Sequence, residues 1–235
     1  MKTEEYCYFC GEKATSKEHL PPKQFFKGFT VDKLTVPSCE KHNTDKGGDD
    51  EAIVKAMLLS LERNNLVLNN DIKLALDKVR PHYKQVKKKV TEKAIYKHND
   101  NHFEFVVLEK NVDLADWIIK LSAGLLCYKT KDFDSNNKFA KAYVFERNSY
   151  PVYEIPADIS SYKEEYDRKM KLIKLLDEIE WINGWNDKKI KYPETIFKYF
   201  YKIINKNIYI KYIFYQQFTF YIEIELSDKT IKKIE

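Results

Sequence analysis

Four side chains near the N-terminus constrain this chain most. Cys7 and Cys10 stand with two residues between them, and after 28 further residues Cys39 and His42 repeat that gap. A C-x2-C or C-x2-H pair forms a knuckle whose side chains converge, and two knuckles supply the four sulfur and nitrogen donors that zinc takes in a tetrahedron. Gly11 follows the second donor, where a tight knuckle needs an unhindered backbone. Cys127 stands apart in the helical run from Trp117 to Tyr128 and reads as a small buried hydrophobe.

The remaining composition describes a folded protein. Of the 235 residues, 43% are hydrophobic and 33% charged, with only six Gly and seven Pro, enough apolar material for a core and too little loop chemistry for disorder. The longest uncharged apolar stretch, Ile213 to Ile222, is about half the ~20 residues of a membrane span and is interrupted by Gln216 and Gln217, so no membrane partner is expected. The opening Met-Lys-Thr-Glu-Glu-Tyr has no apolar leader, which predicts a cytoplasmic protein whose thiols stay reduced rather than forming disulfides. The net charge is +5, unevenly spread. Residues 1 to 60 hold nine Lys and ten acids, leaving 32 of the 41 bases and 26 of the 36 acids to the rest of the chain.

Between the knuckles lies Glu18-His19-Leu20-Pro21-Pro22, and Asn43 follows the second knuckle directly. A four-ligand zinc site is closed, so chemistry would fall to these other residues. A carboxylate and an amide oxygen suit a hard divalent ion such as Mg²⁺ or Mn²⁺. The adjacent imidazole titrates near neutrality and suits taking a proton from water.

Tyr6-Cys7-x2-Cys10-Gly11, Lys17-Glu18-His19-Leu20-Pro21 and Thr35-Val36-Pro37-Ser38-Cys39-x2-His42-Asn43-x2-Lys46 together resemble the HNH endonucleases, in the zinc-stapled version of the ββα-metal fold. The correspondence covers about residues 5 to 55. It implies an α+β protein: an N-terminal, treble-clef-like ββα-metal unit over residues 1 to 66 and a mixed α/β C-terminal region over 67 to 235, for substrate grip, partner contact or regulation. It implies that His19 is the general base, that Glu18 and Asn43 hold the catalytic Mg²⁺ or Mn²⁺, and that Cys7, Cys10, Cys39 and His42 hold structural zinc in a segment too small for a core of its own. The family's middle Asn is absent near Lys33 or Leu34, and Asp32 could take its loop-fixing role. His42, beside Asn43, is also an alternative third motif residue; the repeated two-residue gap assigns it to zinc.

Asp49 or Asp50 is expected as a helix N-cap, with Glu51 in the first turn, or as a supplementary metal ligand. Lys46, near the implied metal, is a candidate phosphate contact. Asp71 to Ile95 reads as a helix broken or restarted at Pro81, with Val79, Tyr83, Val86 and Val90 as its apolar stripe. Arg80, Lys84, Lys87 and Lys88 on its other faces are either a solvated face or the grip on DNA phosphates. A strand at His102 to Glu109, a helix at Asp113 to Lys129, a strand at Phe139 to Glu146 and a helix at Tyr162 to Ile179 follow. Strands are expected at Ile196 to Ile204, Ile208 to Tyr215 and Phe218 to Leu226, the first two joined through Asn205-Lys206-Asn207. The helix carrying Trp117, Lys120, Leu121, Gly124 and Leu125, with the aromatic strands after it, is similar to the region trailing the HNH unit in a group of bacterial proteins, some linked to antiviral defence.

Two function classes compete. One is a metal-dependent endonuclease acting on DNA, taken as double-stranded, and gated by a regulatory protein partner or by unusual DNA because a free nuclease is toxic. The alternative is a non-catalytic zinc-knuckle nucleic-acid-binding module, which needs the four zinc ligands but has no use for Glu18, His19 and Asn43.

Overall fold

The computed structural model describes residues 5–31, 34–43, 47–63, 69–79, 92–98, 101–107, 114–131, 138–146, 174, 176, 178, 180–183 and 192–234. The protein is mixed α+β. Two short strands, β1 (Ser16–His19) and β2 (Thr35–Ser38), pair antiparallel with Glu18 opposite Val36 and His19 opposite Thr35. A single 3₁₀ turn, Lys23–Phe26, lies in the connection and buries Phe25 and Phe26. One helical turn, α1 (Glu40–Asn43), leaves β2, and the long helix α2 (Gly47–Arg63) follows.

The helix α3 (Asn70–Val79) buries Ile72, Ala75, Leu76 and Val79, the i, i+3, i+4, i+7 stripe of a helix with one face on a core. Its first turn is capped by Asn69, whose Oδ1 accepts the Ile72 N–H at 2.9 Å. The structure describes this helix as far as Val79. The helix expected to run, broken or restarted at Pro81, as far as Ile95 is corrected at its far end. Glu92 to Ile95 belong instead to β3 (Glu92–His98), which pairs antiparallel with β4 (Asn101–Val107), His98 opposite Asn101. The ladder to β4 satisfies the backbone groups that a helix would otherwise have to close locally. Tyr83, Val86 and Val90 lie outside the described residues, as does nearly all of the helix expected from Tyr162.

The helix α4 (Leu114–Thr130) and a five-stranded antiparallel sheet form the rest of the core. The strands are β5 (Lys138–Glu146), β6 (Ile182–Asn183), β7 (Phe197–Ile204), β8 (Asn207–Phe214) and β9 (Phe218–Glu225), in the order β5-β9-β8-β7-β6. The sequence-expected hairpin is present, and β8 begins at Asn207. Only Asn205 and Lys206 make the turn, with Asn205 at φ +55°, a conformation Asn tolerates. A last helix, α5 (Asp228–Ile234), follows β9.

Alternation along the strands decides what faces α4. Ile208, Ile210, Tyr212 and Phe214 of β8 are buried, and Tyr212 shares a 2.6 Å hydrogen bond with Ser122 of α4. Phe25, from the 3₁₀ turn, packs on Phe214 at 4.7 Å and on Trp117 at 5.8 Å between ring centroids. The boundary expected at residue 66 lies outside the described residues, and buried side chains from both sides of it share one cluster. Among the described residues no helix is long and apolar enough to cross a membrane.

Candidate metal centre

The first knuckle is built by short-range backbone bonds. The Cys7 N–H donates to the Glu12 carbonyl at 2.7 Å and the Gly11 N–H returns to the Cys7 carbonyl at 3.1 Å. Gly11 sits at φ +73°, where a Cβ would be strained. The second knuckle is the entry to α1. His42 and Asn43 both donate their backbone N–H to the Cys39 carbonyl, and the helical turn carries the Cys39 and His42 side chains, three residues apart, to one side. The Tyr8 N–H, donating to Pro37 O at 3.0 Å, draws the first knuckle onto β2.

The four donor atoms lie within 4.8 Å of one another. Cys10 Sγ is 3.8 Å from Cys39 Sγ, and His42 Nδ1 is 3.7 Å from Cys7 Sγ and 3.2 Å from Cys39 Sγ. A tetrahedron with ~2.3 Å zinc–sulfur arms has edges of about 3.8 Å. The donor set therefore fits zinc in type, number and spacing. Cys7, Cys39 and His42 are buried and Cys10 is exposed, while the Phe9 ring meets the imidazole edge-on at 4.9 Å.

The thiols show why a dication suits them. Burial raises the Cys7 thiol, but the backbone N–H groups of Cys10, Phe9 and Cys39 hold it below its ordinary value. Cys10 is pushed up to about 12, first by burial of its sulfur and then by crowding against Cys7 and Cys39, with the Glu12 backbone opposing. Without a metal Cys7 gives up its proton more readily than Cys10, and a bound dication would favour the thiolate of both.

Glu18 and His19 are consecutive in β1, so they face opposite ways. Glu18 turns inward and is only 5% exposed, beside Tyr8. Burial chiefly, then the nearby Glu18 carboxylate, then Cys7 and Asp50, push the Tyr8 phenol far above its ordinary range. Asp50 is 7% exposed and its Oδ1 takes the indole N–H of Trp117 at 2.7 Å. Because α2 already begins at Gly47, Asp49 and Asp50 lie within its first turn, which corrects the expectation of an N-cap. His19, half-buried, points instead into a cleft with Lys23, Gln24, Lys27, Glu51 and Tyr192.

Asn43 reaches back to the start of β1. Its Nδ2 donates to Ser16 Oγ at 2.8 Å and to the Lys17 carbonyl at 3.3 Å, which leaves Oδ1 as the acceptor end of the amide. Cys7, Cys10, Cys39 and His42 are thus brought together, and among the described residues no second group of three or more Cys, His, Asp or Glu donors converges. Lys46, Arg80, Lys84, Lys87, Lys88 and Asp32 lie outside the described residues.

The local pattern did not reveal Tyr192 or the Trp117–Asp50 bond. Tyr192 donates its hydroxyl to Leu20 O at 2.8 Å, a link across 172 positions for which no short-range signal exists. No protein-family model, no curated protein and no solved structure matches this chain.

Proposed function

We propose that this protein is a metal-dependent DNA endonuclease of the HNH class. One relationship carries the reading. His42 and Asn43 are neighbours in α1, yet the imidazole goes to the thiol cluster while the amide goes back to β1, the strand that ends in Glu18 and His19. A closed zinc cluster thereby anchors three polar side chains that zinc itself does not use.

In this reading His19 takes the proton of the attacking water. Glu18 and the Asn43 amide oxygen are hard oxygen donors of the type that Mg²⁺ or Mn²⁺ accepts. The divalent ion, when bound, neutralises charge on the phosphodiester and on the leaving oxygen. Lys46, Arg80, Lys84, Lys87 and Lys88 contribute backbone grip on double-stranded DNA. The protein acts in the cytoplasm, in antiviral defence, and a regulatory protein partner restrains it.

A second reading has its own observation. The inward turn of Glu18 suits a zinc-knuckle module that binds nucleic acid without cutting it. Nicking of supercoiled plasmid by the purified protein with Mg²⁺ or Mn²⁺, beside His19→Ala and Asn43→Ala, decides between them. The nuclease reading expects cutting that both variants lose while zinc is retained. DNA bound but left intact by every sample would favour the binding module.

A further inference from the structure

The cleft that receives His19 has a volume of about 330 Å³. The end of β1, the 3₁₀ turn with Phe29 and Val31 after it, Glu51 of α2 and Tyr192 form its walls. Phe26 stacks on Tyr192 beneath it, with ring centroids 4.5 Å apart and planes within 22°. The lining is therefore apolar below and charged at the rim.

The charge is unbalanced. Glu51 is the carboxylate of the lining, and two lysines meet it: Lys55 at 2.9 Å and Lys27 at 3.6 Å. The Lys55 side chain is 6% exposed and the Lys27 side chain 38%, so Lys55 is the fixed partner and Lys27 the outer, exchangeable one. Lys23 is exposed, with no carboxylate partner among the described residues. In the lining, Lys23 and Lys27 against Glu51 leave one positive charge in excess beside a half-buried imidazole, and the buried Lys55 behind Glu51 offsets that carboxylate. A concave, partly apolar surface focuses such a charge onto an incoming anion.

We propose that this cleft seats a backbone phosphate of a nucleic-acid strand, with Lys23 and Lys27 as its two phosphate contacts. The inference rests on the proposed function and deepens it by naming where the substrate strand lies. Lys27 moves from Glu51 to the phosphate, and Glu51 stays with Lys55. Lysines act here as point charges, so the grip is independent of base sequence. The seated phosphate lies beside the His19 imidazole, on the side of β1 away from Glu18.

The test uses the full chain loaded with zinc and carrying His19→Ala, so that DNA stays intact. Its affinity for a short labelled duplex is measured between about 50 and 200 mM salt, before and after adding Lys23→Ala and Lys27→Ala. Each lost phosphate contact removes about 0.9 from the slope of log affinity on log salt, so the slope falls by about 1.8. Lys232→Ala with Lys233→Ala, exposed on α5 and outside the cleft, leaves the slope unchanged. Equal slopes with and without the cleft lysines, an equal fall in the α5 variant, or no DNA binding by the parent would each overturn the proposal. A cleft-dependent slope together with a wild-type protein that never nicks plasmid would sink the nuclease reading and leave the phosphate seat standing.

Discussion

The hydroxyl of Tyr192 donates to the carbonyl of Leu20, the residue after His19, at 2.8 Å and accepts the N–H of Leu34 at 3.0 Å. Leu20 and Leu34 are also joined by a backbone bond, Leu20 N–H to Leu34 O at 2.9 Å. The phenol therefore occupies the second half of what would be an ordinary pair of ladder bonds, and wedges the β1 and β2 ends apart by one oxygen. Tyr192→Phe keeps the stack on Phe26 but leaves a buried carbonyl and a buried N–H to find new partners. A loss of about 1–3 kcal/mol is expected, read as a lower urea midpoint with zinc content unchanged. An unchanged midpoint would mean that water replaces the phenol without cost.

Leu20 is held from its other side by Gly124 of α4. A Cβ placed on Gly124 would lie 2.7 Å from both Leu20 methyl carbons. Gly124→Ala gains helix propensity worth about 1 kcal/mol but overpacks a side chain that is 1% exposed, at a cost of about 1–3 kcal/mol. Net destabilisation is expected. In a double-mutant cycle, Leu20→Ala makes room for the new methyl, so the two losses sum to more than the double variant shows. Strict additivity in denaturant melts would contradict the contact.

These contacts mark the limit of what the sequence could disclose. The Cys7 and Cys39 knuckles were legible because two-residue spacing is a local property, and α4 and the β7–β8 hairpin because periodicity and an Asn-Lys turn are local too. Tyr192 on Leu20 and Trp117 on Asp50 are pairings across 172 and 67 positions, decided by how the sheet and α4 pack. The helix expected as far as Ile95 overran for the same reason, since β3 exists through its ladder to β4. Glu18 and His19 stand out in the sequence as adjacent titratable residues, but strand alternation, which sends one inward and the other into the cleft, needed the strand itself.

Glu51 gives the fold a pH dependence of known sign. The Lys55 hydrogen bond, opposed by partial burial and helped by the Lys55 and Lys27 charges, holds its carboxyl below the ordinary 4.5. A depressed carboxylate binds protons more readily in the unfolded chain, so its contribution is full above about pH 4.5 and is lost as pH falls through the lowered value. Since Glu51 is 41% exposed, solvent screening limits the contribution to on the order of 1 kcal/mol. Glu51→Gln should lower stability near neutrality and flatten the acid limb, so that the two melting curves converge between about pH 5 and 3. Parallel limbs would show that the ion pair contributes nothing.

The division of labour between His42 and Asn43 can be separated by chemistry rather than deletion. His42→Cys preserves a four-donor thiolate set, which zinc accepts, and forfeits the edge-on Phe9 contact, worth about 0.5–1.5 kcal/mol. His42→Ala leaves three protein donors and an open position, and should lose zinc to a chelator far faster. Cys7→Ser, Cys10→Ser and Cys39→Ser should behave like His42→Ala, whereas Cys127→Ala, outside the cluster, should retain about one zinc per chain. With zinc held, plasmid nicking should survive His42→Cys and vanish in Asn43→Ala, because the amide, tied to Ser16 and Lys17, is the group presented towards β1. If nicking disappears in His42→Cys at full zinc occupancy, the imidazole acts in the reaction itself, and the assignment of His42 to zinc alone is wrong.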